Sequence, residues 1–224
     1  MERIFEDRRD AGRQLAVLLG KYRDREDCIV AALPRGGVVV GFEIAQALHL
    51  PLDVCVVRKL GVPFQPELAM GAVAMGGVKV LQREVIAHLG ITNEEIEREA
   101  ALELEELSRR ERAYRGDRPM PALAGKTVLL VDDGIATGAT AEAATEALRR
   151  LGASRVVIAA GVASRQAIEQ LSRHADEVVP VLAPGVLYSI GEWYEDFAQT
   201  SDEEVISLLR RAREASPKPA ASIR

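Results

Sequence analysis

Apolar residues recur along this chain at two spacings, and the alternation between them predicts its elements. Between Asp7 and Tyr22, the residues Ala11, Leu15, Leu18 and Leu19 fall at helical spacing and predict an amphipathic first helix. Cys28-Ile29-Val30-Ala31-Ala32-Leu33 is instead a continuous apolar run, as expected of a strand covered on both faces. A break at Pro34-Arg35-Gly36-Gly37 leads into a helix through Val38, Gly41, Ala45 and Leu48. A second buried strand is predicted from Leu52 to Val57, closing on Arg58-Lys59. Leu68 to Leu81, with Gly71, Gly76 and Gly77, reads as a hairpin turning at the Gly-Gly pair. Thr92-Asn93-Glu94-Glu95 then opens a helix running to about Arg115, with a polar cap and carboxylates in its first turn.

After Pro119-Met120-Pro121 the two spacings alternate again. They give strand Thr127 to Val131, helix Ala139 to Leu151, strand Arg155 to Ala160, helix Arg165 to His174 and strand Glu177 to Leu182. A last helix, Asp202 to Arg213, precedes a Pro/Ala/Ser tail. Buried strands separated by helices predict an α/β fold with a parallel, doubly wound sheet. The expected organisation is one domain over residues 1–214, with a core at about 25–182. A helical insertion is expected at about 83–118, a small hood at about 183–200 and a disordered tail at 215–224.

Composition narrows the function. With 48% hydrophobic and 28% charged residues over 224 positions, the chain can bury a core, which excludes a largely disordered protein. Lys and Arg total 29 against 34 Asp and Glu, a net charge of −5 that argues against nucleic-acid and anionic-membrane binding. Cys28 and Cys55 sit in separate apolar stretches without zinc spacing and read as buried thiols. The charged start Met1-Glu2-Arg3 is unlike a signal peptide, and no apolar run approaches the roughly 18 residues of a membrane span. A cytoplasmic location is expected.

In open parallel sheets, ligands bind outside the carboxyl ends of the strands. There Val128-Leu129-Leu130-Val131 delivers Asp132-Asp133-Gly134-Ile135-Ala136-Thr137-Gly138-Ala139-Thr140 into a helix. Asp132 and Asp133 are acceptor-only carboxylates suited to a vicinal diol or a hydrated divalent cation. The small-residue turn exposes backbone N–H groups at a helix N-terminus, where an anion is favoured, and Thr137 and Thr140 add hydroxyls. Carboxylates beside an anion cradle suit a sugar phosphate. A P-loop is excluded because Ala139, not Lys, follows Gly138. A phospho-accepting receiver would place its acid pair near the first strand and would not follow it with an anion-binding turn.

The run Val131 to Thr140 resembles the signature of the type I phosphoribosyltransferases, and the resemblance extends from about Cys28 to Leu182. It implies Mg2+-dependent transfer of the phosphoribosyl group of 5-phosphoribosyl-1-pyrophosphate (PRPP) to a nitrogenous base, releasing pyrophosphate through a transition state of oxocarbenium character. By that resemblance Asp132 and Asp133 are the catalytic acids, holding the ribose 2- and 3-hydroxyls and the water shell of the metal. Gly134, Ile135, Ala136, Thr137, Gly138, Ala139 and Thr140 would bind the 5-phosphate. Leu33-Pro34-Arg35-Gly36-Gly37 resembles the family's pyrophosphate loop, with Arg35, Gly36 and Gly37 as donors, and Arg58-Lys59 resembles a basic pair with the same task.

Members acting on 6-oxopurines carry an Asp at the position of Ala136. Either the acceptor is handled differently here or another residue does that work. The family also has a mobile lid and a hood. Gly61 to Glu67, or the Arg-rich helix end Arg109 to Arg115 with Tyr114, qualifies as a lid. For the hood, four of nine aromatic residues, Tyr188, Trp193, Tyr194 and Phe197, gather in one stretch. They form either a platform for the base or an aromatic plug fixing the C-terminal helix. An enzyme is expected, rather than a non-catalytic PRPP- or nucleotide-sensing regulator on the same fold, because no basic face or DNA-binding unit accompanies the motif. The acceptor stays open, and so does a homodimer.

Overall fold

A computed structural model describes residues 4–215, so most of the predicted tail lies outside the described residues. Five strands form the main sheet: β1 Cys28–Ala32, β2 Leu52–Val54, β6 Thr127–Ile135, β7 Arg155–Ala163 and β8 Glu177–Leu182. They lie in the order β2-β1-β6-β7-β8, and every pairing is parallel. A second sheet is antiparallel, β3 Val57–Val62, β4 Gln65–Ala74 and β5 Val78–Leu81, turning at Met75–Gly77 between the last two. The helices are α1 Arg8–Leu18, α2 Gly36–Leu48, α3 Arg83–Leu89, α4 Asn93–Arg115, α5 Ala139–Arg150, α6 Arg165–Leu171 and α7 Asp202–Ala215.

The continuous apolar runs are explained by the period of two along a strand. Val30, Ala32, Leu129, Val131, Val157 and Ala159 face one core with α1, α2 and α7. Ile29, Ala31, Leu33, Val128, Leu130, Val156 and Ile158 face the other, under α5 and α6. Both cysteines are buried, which pushes the Cys28 thiol up to about 11 and the Cys55 thiol up to about 12. No helix among the described residues is long and apolar enough to cross a membrane.

One predicted element divides in two. Leu52 to Val57 is not a single strand: β2 ends at Val54, and the chain crosses to the second sheet through Cys55 and Val56. The Cys55 amide still donates to Ala32 of β1 at 2.8 Å, whereas the Val56 carbonyl accepts from Met75 of the second sheet at 2.9 Å. An apolar run carries no mark where a buried strand changes partners. The stretch 183–200, expected to be the hood, holds only a short 3-10 turn, Gly191–Trp193, and one bridge between Phe5 and Tyr194. Residues 57–81 build a small antiparallel sheet that packs against α4 and α5.

Candidate functional site

Strand β6 runs on to Ile135, past the end expected at Val131, so Asp132, Asp133 and Gly134 are strand residues. Asp132 is in register with Ala160 of β7, and Gly134 with Val162. Between them, Gly161 leaves a gap that its neighbour Tyr194 fills. A Cβ at Gly161 would lie 2.3 Å from the Tyr194 hydroxyl, which donates to the Asp133 carbonyl at 2.6 Å. The acid pair is thereby fixed at the carboxyl edge of the central strand.

The turn after β1 reaches the same place. Leu33 donates to the Val131 carbonyl at 2.9 Å, and the Pro34–Arg35 peptide bond is cis. Its glycines permit close contact: a Cβ on Gly37 would stand 2.7 Å from the Val131 carbonyl, and one on Gly36 only 2.0 Å from Asp133 Oδ2. Two stretches far apart in sequence thus share one surface. Arg35 is half-buried, and its charge reaches Tyr114 of α4 and Glu203 of α7.

One residue that sequence reasoning missed sits on the acid pair. Arg8, in the first turn of α1, donates from Nε to Asp133 Oδ2 at 2.6 Å. Its guanidinium carbon lies 3.8 Å from the centroid of the Phe197 ring, and Nη1 donates to the Ala198 carbonyl at 2.7 Å. Asp132 Oδ1 accepts from the Asp133 amide at 2.8 Å. Burial, and then the neighbouring Asp133 charge, push the Asp132 carboxyl well above the usual carboxylate range, while Arg8 pulls it back. No local pattern marks Arg8, one of 29 cations, as different from the rest.

Beyond Ile135 the chain leaves the sheet. Ala136 and Thr137 are exposed, and the Ala136 carbonyl accepts from Ser164 Oγ at 2.7 Å. Gly138 adopts φ +85°, a left-handed conformation that suits glycine, and α5 starts at Ala139 with no side chain capping it. The first-turn amides therefore point into the turn without an internal side-chain partner. Gly134 is covered from above: a Cβ there would lie 2.4 Å from Ile190 Cγ2.

The other expected residues are distributed differently. Arg58 and Lys59 stand on β3 of the second sheet, not at a parallel strand end. As neighbours on a strand they face opposite ways. Arg58 pairs with Glu103 of α4 at 2.7 Å. Lys59 lines a cleft of about 690 Å³ between the second sheet and α5, shared with Ala139 and Thr140. The segment Gly61 to Glu67, expected as a loop, is the tip of the β3–β4 hairpin and turns at Pro63-Phe64, with Phe64 exposed.

The Arg-rich end of α4 is committed elsewhere. Arg115 bonds Asp53 and Glu111, Arg109 and Arg110 bond Glu106, and Tyr114 bonds Asp202. Of the four gathered aromatic residues, Trp193 and Tyr194 are buried with Phe5, Ala11 and Val162. Phe197 lies under Arg8, and Tyr188 is 85% exposed. Three of the four thus form a plug against the acid pair and α1, not an open platform for a base.

A sequence profile described as the Phosphoribosyl transferase domain matches residues 6–184. The chain belongs to the phosphoribosyl transferase family. A Mycobacterium tuberculosis (strain H37Rv) protein with a provisional phosphoribosyl transferase name is 45% identical over 210 residues, covering 94% of this chain and 47% of that protein. The chain therefore spans about half the length of that relative. The crystal structure of TT1426 from Thermus thermophilus superposes with a TM-score of 0.83 at 43% identity, covering 93% of this chain and 98% of that one. A purine phosphoribosyltransferase from Pyrococcus horikoshii shares the fold at a TM-score of 0.50 and 17% identity, over 90% of this chain and 99% of the other. The α/β architecture of a parallel five-stranded sheet with a small antiparallel sheet beside it is that of the type I phosphoribosyl transferases.

Proposed function

We propose that the protein is a PRPP-dependent transferase, moving the 5-phosphoribosyl group to a nitrogenous base with release of pyrophosphate. The observation that carries this reading is the packing of Asp132 and Asp133 between the Gly36–Gly37 turn and the uncapped N-terminus of α5. Each part of PRPP then has a partner of matching chemistry. The 5-phosphate is received by the amides of Gly134 to Thr140 and the hydroxyls of Thr137 and Thr140. The ribose hydroxyls donate to Asp132 and Asp133. Pyrophosphate is received by Arg35 and the amides of Gly36 and Gly37. Bond breaking places negative charge on the pyrophosphate and positive charge on the ribose ring. Fixed donors on one side and fixed carboxylates on the other stabilise both.

Among the described residues no cluster of three or more metal-ligating side chains exists. This fits Mg2+, which keeps most of its waters and binds through one or two carboxylates together with substrate phosphates. Asp132 and Asp133 would hold its water shell, and the ion would supply charge neutralisation on the pyrophosphate. With Ala136 in the turn, the chain offers no carboxylate there to handle a purine proton.

The test is a panel of free bases and small amines incubated with PRPP and Mg2+, following pyrophosphate release. The reading expects release with at least one acceptor and its loss in the Asp132→Asn, Asp133→Asn double variant. PRPP binding with no release from any acceptor would move the protein to the sensing class.

A further inference from the structure

We infer that Arg8 is a positioning residue that presents Asp133 to the ribose hydroxyls of the substrate, with Phe197 and Ala198 as its mount. The inference rests on the PRPP reading above and adds a residue from outside the signature.

Three contacts fix the guanidinium at once. Nε donates to Asp133 Oδ2 at 2.6 Å, Nη1 donates to the Ala198 carbonyl at 2.7 Å, and the group stacks 3.8 Å from the centre of the Phe197 ring. Arginine's planar fork makes such a three-way arrangement feasible, and a lysine ammonium cannot reproduce it. The side chains of Arg8 and Asp133 are only 11% and 15% exposed, so water weakens the pair little. The same oxygen, Oδ2, also lies against the backbone of Gly36. With Oδ2 committed to Arg8, Oδ1 is the oxygen left to accept from a ribose hydroxyl.

The backbone is held from the same quarter. Tyr194 bonds the Asp133 carbonyl at 2.6 Å, and Ile190 covers Gly134. The first turn of α1 and the segment 190–198 therefore act as one clamp on the acid. This explains why aromatic residues collect there and yet are buried: they brace a carboxylate.

The experiment measures, by isothermal titration, the affinity of the full chain for ribose 5-phosphate, PRPP and inorganic pyrophosphate, with thermal melting alongside. Wild type and Arg8→Gln, Arg8→Lys and Phe197→Leu variants are compared. Loss of one charge-assisted hydrogen bond predicts ribose 5-phosphate binding about ten- to a hundredfold weaker in Arg8→Gln. PRPP should follow, while pyrophosphate, titrated without Mg2+ so that no ion links it to Asp133, stays within about twofold. Arg8→Lys should recover only part of the loss. Phe197→Leu keeps the charge but removes the mount, and should show the same ligand pattern more weakly, which keeps the test decisive should Arg8→Gln fail to fold.

Unchanged or tighter ribose 5-phosphate binding in Arg8→Gln would overturn the inference, the latter by making Arg8 a shield on the acid. Equal weakening of all three ligands would overturn it too, reducing Arg8 to a fold-stabilising contact. Failure of wild type to bind ribose 5-phosphate or PRPP would instead remove the reading on which it rests.

Discussion

A hydrogen atom at Gly36 is all that separates the turn after β1 from the Asp133 carboxylate. A methyl group there would meet Oδ2 at 2.0 Å and Arg8 Nε at 2.7 Å, so one of the two must move. Gly36→Ala is expected to weaken PRPP binding at least about tenfold by displacing the acid, at a stability cost of about 1–3 kcal/mol. Gly20→Ala is the control, since nothing lies within 4 Å of its added carbon. Titration calorimetry with urea unfolding separates the two effects. The sequence marks Gly36 and Asp133 as members of two motifs, but their contact spans almost a hundred residues. Arg8 is further from legibility still: its neighbours on the chain are charged, and only folding distinguishes it.

Among the elements, α4 was readable at its start and opaque at its end. Thr92 accepts from the Glu95 amide, while the Glu95 carboxylate accepts from the Thr92 amide, a capping box written in four consecutive residues. In sequence its basic last turn qualifies as a lid. Instead Arg115 is buried and donates to Asp53 and to the Val54 carbonyl of β2, as well as to Glu111. Burial raises the Asp53 carboxyl although Arg115 opposes it, which marks a buried carboxylate dependent on its partner. Arg115→Ala leaves Asp53 without its cation and is expected to cost about 3–5 kcal/mol. Thr92→Ala, at the exposed end, should cost about 1 kcal/mol. Urea denaturation of both variants checks the ranking, and equal losses would contradict it.

At the scale of the whole molecule, ligand binding should appear as stability, because the site joins the ends of β1 and β6, the start of α5 and the first turn of α1. On the proposed reading, PRPP at a hundredfold excess over its Kd is expected to stabilise the folded state by about 2.7 kcal/mol. At about 2–4 °C per kcal/mol for a chain of this size, Tm should rise by about 5–11 °C. The Asp132→Asn, Asp133→Asn double variant should show no rise in a thermal melt. The sequence by itself determined the parallel α/β architecture, because strands buried on both faces must be apolar throughout. It also displayed the acid pair and the small-residue turn Asp132 to Thr140 as one motif, because those residues are contiguous. Tertiary structure alone decided that the run Leu52 to Val57 serves two sheets, and that Arg58 and Lys59 face apart. It also decided that the aromatic cluster braces the acids and that Arg8 sits on Asp133. Each of these depends on which distant segment packs opposite, and a local pattern of polar and apolar residues records that a side chain is buried without recording against what.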